Sequence, residues 1–166
     1  MATALFINRT DLVKNSIIGG GTDSDLFLQY IKLAQEIHIE SYLGSKLYDK
    51  ISADIVAGTL TGNYLLLVNI YIQPMLIHFA MQEYLPFAAY KIKSGGIFKG
   101  TSENAETVDK EDVDFLVGKE REHAEHYTRR FVDYICDNST LFPEYLTNTG
   151  SDVDPIKTSN NTTWLL

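Results

Sequence analysis

Apolar positions crowd the stretch from Tyr64 to Tyr90, where one charge, Glu83, and the polar residues Asn69, Gln73, His78 and Gln82 are the main interruptions. At 100° per residue Asn69, Gln73 and Glu83 fall near one side of a helix and His78 and Gln82 near the other. No face is wholly polar, so neighbours are expected to cover this helix all round. Pro74 cannot donate its backbone bond and crowds the carbonyl of Ile70, which predicts a kink there. Pro86 repeats the disturbance, making Phe87 to Lys93 a separate short helix or a second kinked turn that ends at Ser94-Gly95-Gly96.

Elsewhere the pattern is amphipathic. Behind the capping side chains of Thr22-Asp23-Ser24-Asp25, the residues Phe27, Tyr30, Ile31, Ala34, Ile37 and His38 recur at helical steps, predicting a helix that ends near Leu43 with Gly44 as its C-cap. Leu47, Tyr48, Ile51 and Ile55 continue on a shorter helix that closes at Gly58, and Thr59 to Gly62 turns into the central stretch. From about Val108 to Asn138 a long helix carries Val113, Leu116, Val117, Ala124, Tyr127, Phe131, Tyr134 and Ile135 on one face. Asp109, Glu111, Asp112 and Asp114 in its first turns and Arg129 and Arg130 nearer its end suit the helix dipole. Leu141-Phe142-Pro143-Glu144-Tyr145 stops it.

The remaining segments are short or polar. Leu5-Phe6-Ile7 reads as a short strand, and Thr10 caps a single-turn helix over Asp11-Leu12-Val13-Lys14. Gly19-Gly20-Gly21 is a flexible turn rather than a phosphate loop, because no Gly-Lys-Ser/Thr follows and no long strand precedes. Residues 94–108 form a long loop interrupted by Ile97-Phe98. It is either a surface excursion or the carrier of a short strand, Ile97 to Lys99, that pairs with another segment or another subunit. From Thr147 onward Thr, Asn, Ser and Asp dominate, a composition that is disordered when alone. Its closing Trp164-Leu165-Leu166 either anchors a partner or folds back on the domain. These patterns predict an all-α bundle of about four to six helices over 1–146, with a kinked central helix, and an extended C-terminal tail over 147–166.

Composition narrows the partners. With 22 acidic against 14 basic residues the net charge is -8, which disfavours phosphate-backbone binding and anionic membrane surfaces. At 166 residues there is room for one domain with a substantial core. Asn69, Gln73, Pro74 and His78 in mid-stretch make insertion of the central helix into a bilayer expensive. Cys136 has no intrachain partner, and Met1-Ala2-Thr3-Ala4 lacks a signal-peptide pattern, so synthesis in a reducing cytosol is expected. The Asn-x-Ser/Thr triplets at Asn8, Asn138, Asn160 and Asn161 are then accidents of composition.

Catalytic signatures are sparse. Glu120-Arg121-Glu122-His123-Ala124-Glu125-His126 has the Glu-x-x-His spacing of carboxylate-bridged metal bundles, but neither His38 nor His78 has a Glu three residues before it. The cluster reads as a solvated helix face. A rival reading makes it a small metalloprotein using Glu120, His123 and His126 with Glu36 or Glu83 from facing helices. His38 and His78 read as hydrogen-bonded core or boundary residues. No Gly-x-Ser-x-Gly elbow is present, and Cys136 amid apolar neighbours suits packing. Lys91, Lys93 and Lys99 make one local basic patch, which with Phe98 is a weak nucleic-acid signal and equally suits an intersubunit contact with the acidic run from Glu103 to Asp114.

Several segments carry a resemblance. Ala34-Gln35-Glu36-Ile37-His38-Ile39 with Leu43-Gly44-Ser45-Lys46-Leu47-Tyr48, then Glu83-Tyr84-Leu85-Pro86-Phe87, Thr101-Ser102-Glu103-Asn104-Ala105-Glu106 and Asp133-Tyr134-Ile135-Cys136-Asp137-Asn138 resemble the head-tail connector (adaptor or ring) proteins of tailed phages, in the version found in crAss-like and related gut-phage genomes. The resemblance spans about Phe6 to Tyr145. It implies an all-helical, non-enzymatic virion subunit, without cofactor or metal, assembling as a rule into a twelve-fold homo-oligomeric ring at the head-tail junction. Such a ring contacts the portal protein and the next ring or tail protein, and lets genomic DNA pass without specific binding. It also implies that an extended loop or terminus grips a neighbour. Ile97, Phe98 and Lys99 in the loop, and Val153, Ile156, Trp164, Leu165 and Leu166 in the tail, are the expected partner-binding residues.

Overall fold

The computed structural model describes residues 4–16, 18, 24–88, 90–93, 96–99, 109–148, 150 and 152–158, with the backbone alone at 24–26, 91–93 and 96–99. The fold is all-α, with one small antiparallel hairpin inserted between its two longest helices.

Residues 4–7 form no strand. The amides of two glutamines, Gln35 buried and Gln73 half-buried, take their backbone instead: Phe6 N–H donates to Gln35 Oε1 at 2.8 Å, while Gln35 Nε2 donates to the Ala4 carbonyl at 3.0 Å and Gln73 Nε2 to the Phe6 carbonyl at 2.9 Å. A primary amide offers the same donor and acceptor as a neighbouring strand. Helix α1, Arg9–Asn15, is capped by Asn8 rather than Thr10. Asn8 Oδ1 accepts from Asp11 N–H at 2.9 Å and Asp11 Oδ2 accepts from Asn8 N–H at 3.1 Å, a reciprocal capping box.

Helix α2 covers 24–43, running from Ser24–Ala34 through a wide π turn at Gln35–Ile39 into Glu40–Leu43. The turn adds a residue to the period, and that moves the buried stripe. Gln35 and Ile39 are buried, whereas Ile37, expected on the apolar face, is 48% exposed. Helix α3, Ser45–Ala57, follows Gly44 directly and is closed by Gly58 in the left-handed conformation.

Helix α4, Gly62–Phe87, is the central element. It is long and apolar enough to cross a bilayer, yet here it lies between α2 and the long helix that follows. Pro74 sits just after a second π turn, Leu67–Ile72, where Gln73 N–H already reaches five residues back to the Val68 carbonyl. The widened ladder accommodates the proline, whose ring nitrogen has no hydrogen to donate. Met75, Leu76, Phe79, Ala80 and Met81 are buried, but cover is not complete along the helix. Leu65, Leu66 and Ile70 near its start remain 39%, 39% and 47% exposed.

After a 3-10 turn at Leu85–Phe87 the chain does not form the expected second short helix. Tyr90–Lys93 is strand β1 and Gly96–Lys99 is strand β2, paired antiparallel with Ile92 opposite Ile97. Extended pairing wins because Tyr90 to Lys93 alternates apolar and basic residues and the strand-favouring Ile97 and Phe98 follow a pair of glycines, a hairpin pattern.

Helix α5, Lys110–Asp137, presents Ala124, Thr128, Phe131, Val132 and Ile135 to the core. A 3-10 turn at Ser139–Leu141 and the short helix α6, Pro143–Leu146, bury Phe142 and Tyr145, with α6 packed on α3 and Phe142 at the start of α4. There Tyr71 stacks on Tyr134 at 4.1 Å, and Tyr64 meets Phe142 edge-on at 5.5 Å.

Candidate functional site

The junction of α2 and α3 is where the tail returns. A helix end leaves backbone groups without partners, and here two ends lie side by side. Gly44 links them with φ 73° and ψ 154°, a region open to glycine alone. The described tail residues bond to the orphan groups. Ser45 N–H donates to the Val153 carbonyl at 3.0 Å, Lys46 N–H to Asn148 Oδ1 at 2.8 Å, and Ile156 N–H to the Ser41 carbonyl at 2.9 Å. Val153 N–H donates to Ser45 Oγ at 2.9 Å, and Asn148 Nδ2 donates to the Val153 carbonyl at 2.7 Å. Asn148 is 3% exposed and Pro155 lies over Gly44, so that a Cβ on the glycine would stand 2.8 Å from Pro155 Cδ and 2.9 Å from Asn148 Cγ.

The expectation of a tail disordered on its own is therefore corrected for 152–158, which the α2–α3 junction holds. Val153 and Ile156, expected to reach a partner, are both held by backbone hydrogen bonds inside the chain. Ile156 is still 37% exposed. Trp164, Leu165 and Leu166 lie outside the described residues. Cys136, expected to pack, is exposed, with Sγ 4.0 Å from the Lys157 carbonyl. Beside it, burial pushes the Tyr145 phenol well above its ordinary value.

Ile97, Phe98 and Lys99 lie on β2. Among the described residues the sheet has only its two strands, so each keeps one edge unpaired. The register divides the basic patch. Lys91 and Lys93 alternate onto one face with Phe98, while Lys99 shares the other face with Tyr90, Ile92 and Ile97. At the hairpin's base Phe87 and Tyr90 are 57% and 51% exposed.

The histidines occupy the flanks of α4. His38 on α2 donates from Nε2 to Glu83 Oε1 at 2.9 Å, and its ring stacks on Phe79 at 4.0 Å. On the opposite flank His78 donates from Nδ1 to Glu120 Oε2 on α5 at 2.7 Å, stacks on Tyr127 at 5.4 Å and meets the His123 ring edge-on at 5.1 Å. Glu120 is thus no part of a solvated face, since only 12% of its side chain is exposed. The metal set expected as the rival reading is not assembled. Glu83 is taken by His38, Glu36 pairs with Lys32 at 3.6 Å in solvent, and His126 contacts Tyr127 at 5.3 Å. What α4 and α5 bring together is His78, Glu120 and His123. Beside His78 opens a polar cleft of about 230 Å³ lined by Asp11, Asn15, Asn69, Gln73 and Tyr127.

The chain is a mainly helical domain whose C-terminal segment locks a helix junction and whose hairpin has, among the described residues, two unpaired edges. It belongs to a family of unknown function, DUF6712, matched over residues 39–155. No curated protein and no solved structure matches it. The matched span contains both sides of the lock, Gly44 and Pro155, together with the hairpin and the His78–Glu120 pair.

Proposed function

We propose that this chain is a structural assembly protein of a tailed-phage virion, a head-tail connector subunit that packs with copies of itself into a ring between portal and tail. In this role it catalyses no reaction. The observation that carries the reading is the hairpin, whose outer edges pair with nothing else among the described residues and so offer main-chain donors and acceptors to a strand from another subunit. Exposed apolar side chains supply the second element of such an interface. Leu66 and Ile70 lie one turn apart on α4, and Leu33 and Ile37 do the same on α2. A head-to-tail ring needs two unlike faces that fit, and these patches sit on different helices. The net charge of -8 suits a channel that DNA traverses without sticking. The resemblance of the segments quoted above supplies the twelve-fold ring, the portal and the next tail component as neighbours.

The test is native mass spectrometry of the full-length chain, alone and mixed with the portal protein of the same genome. A ring-sized complex is expected, and deletion of residues 163–166 should weaken portal docking while leaving the far-ultraviolet dichroism unchanged. A monomer indifferent to the portal overturns the reading.

A further inference from the structure

We infer that His78, Glu120 and His123 form a binding site for a zinc-class divalent metal ion at the α4–α5 contact. One potential ligand atom from each residue lies within 4.8 Å of the other two. Tetrahedral zinc with bonds of about 2.0–2.1 Å places its donors about 3.3 Å apart. Closing the cluster therefore asks for shifts of no more than about 1.5 Å, within reach of small side-chain rotations. Glu120 and His123 are three residues apart on α5 and so share a face, while His78 approaches from α4. Two helices contribute, and the ion joins them.

The surroundings favour occupation. The Tyr127 ring lies 7° from coplanar with His78 and restricts the rotation of the imidazole. His78 and Glu120 are only 18% and 12% exposed, so the carboxylate is sheltered from water and a cation there is screened little. The hydrogen bond they share at 2.7 Å is the contact that a metal replaces, since both groups are ligands as well as hydrogen-bonding partners. His123 is exposed and gives the ion a way in from solvent. The polar cleft beside His78, with Asn69 and Gln73 in its wall, has room for a water to complete the coordination.

Donor chemistry selects the ion class. Two imidazoles and one carboxylate suit zinc and its first-row neighbours, whereas magnesium and calcium prefer an all-oxygen shell. The site does not depend on whether the chain forms rings. It fastens α5 to α4 at a level where Gly118 and the exposed Phe115 leave the first half of α5 less deeply packed than its second half.

The experiment is isothermal titration of the EDTA-stripped full-length chain with ZnCl2 and, separately, MgCl2. The wild type is compared with His123→Ala and His126→Ala, whose exposed side chains leave the core untouched. One zinc per chain, at least tenfold weaker binding in His123→Ala, wild-type binding in His126→Ala and no magnesium uptake are expected. The melting temperature should also rise by several degrees in excess zinc, except in His123→Ala. Absence of stoichiometric zinc, wild-type affinity in His123→Ala, or an equal loss in His126→Ala would each overturn the assignment, the last by making the exposed α5 histidines a simple surface chelate.

Discussion

Two excursions leave the helical body, and they end differently. The C-terminal segment folds onto the α2–α3 junction, where Asn148, Val153 and Ile156 satisfy backbone groups that two helix ends leave open. The hairpin pairs only with itself among the described residues and keeps its edges free. The first excursion completes the domain. On the proposed function, the second offers to another chain the same kind of hydrogen bond that the first makes at home, and stability and assembly are then expected to separate along this division.

The sharpest way to break the contrast is Gly44→Ala. The added methyl meets Pro155 and Asn148 at under 3.0 Å, and the backbone angle of 73° is strained for any side chain. Denaturant unfolding should show a loss of about 3 kcal/mol or more, with the tail released. Asn148→Ala removes, from a buried side chain, the acceptor of Lys46 N–H and one of the two donors to the Val153 carbonyl, and should cost about 2 kcal/mol in the same measurement.

Tyr64→Phe acts beside the lock, where the phenol donates to Glu144 Oε2 on α6 at 2.6 Å, and about 1 kcal/mol is expected. Burial, then the hydrogen bond to Glu144 and that carboxylate's charge, push the Tyr64 phenol up to about 12. Because the folded value lies above the unfolded 10.0, this contribution is whole below pH 10 and is lost as the pH rises through about 12. Stability measured across that alkaline window should therefore fall less steeply in Tyr64→Phe than in the wild type. Phe98→Asp, on the hairpin, should change unfolding by under about 0.5 kcal/mol yet reduce ring or portal assembly in native mass spectrometry. A large stability loss from Phe98→Asp would erase the division between the two excursions.

Local signals in the sequence were reliable where the chain's own neighbours decide the outcome. Gly44 and Gly58 mark helix ends because only the backbone at those residues is at issue, and the apolar stripe of α5 keeps its period from Ala124 to Ile135. Ile37 departs from its expected place on the apolar face because it lies within the π turn Gln35–Ile39. Periodicity at 3.6 residues cannot register an added residue. Glu120 was assigned to solvent because its burial depends on how α5 is rotated against α4, which no window of sequence contains. The signal for the hairpin, alternation in Tyr90 to Lys93 ahead of Gly95-Gly96 with the apolar pair Ile97-Phe98 beyond, is legible as a strand on the second side alone. The order of 152–158 could not be read from composition, since its partners lie a hundred residues earlier in the chain.

The wide turn at Leu67–Ile72 gives α4 two phases. One inserted residue rotates everything beyond it by about 100°, so the segments before and after the turn aim their contacts independently. Tyr64 before the turn and Tyr71 within it address α6 and the end of α5, while beyond the turn His78 and Glu83 grip α5 and α2 on opposite flanks. A single straight rod of this sequence could satisfy one set of neighbours or the other. With a vernier built into its middle, one helix serves both.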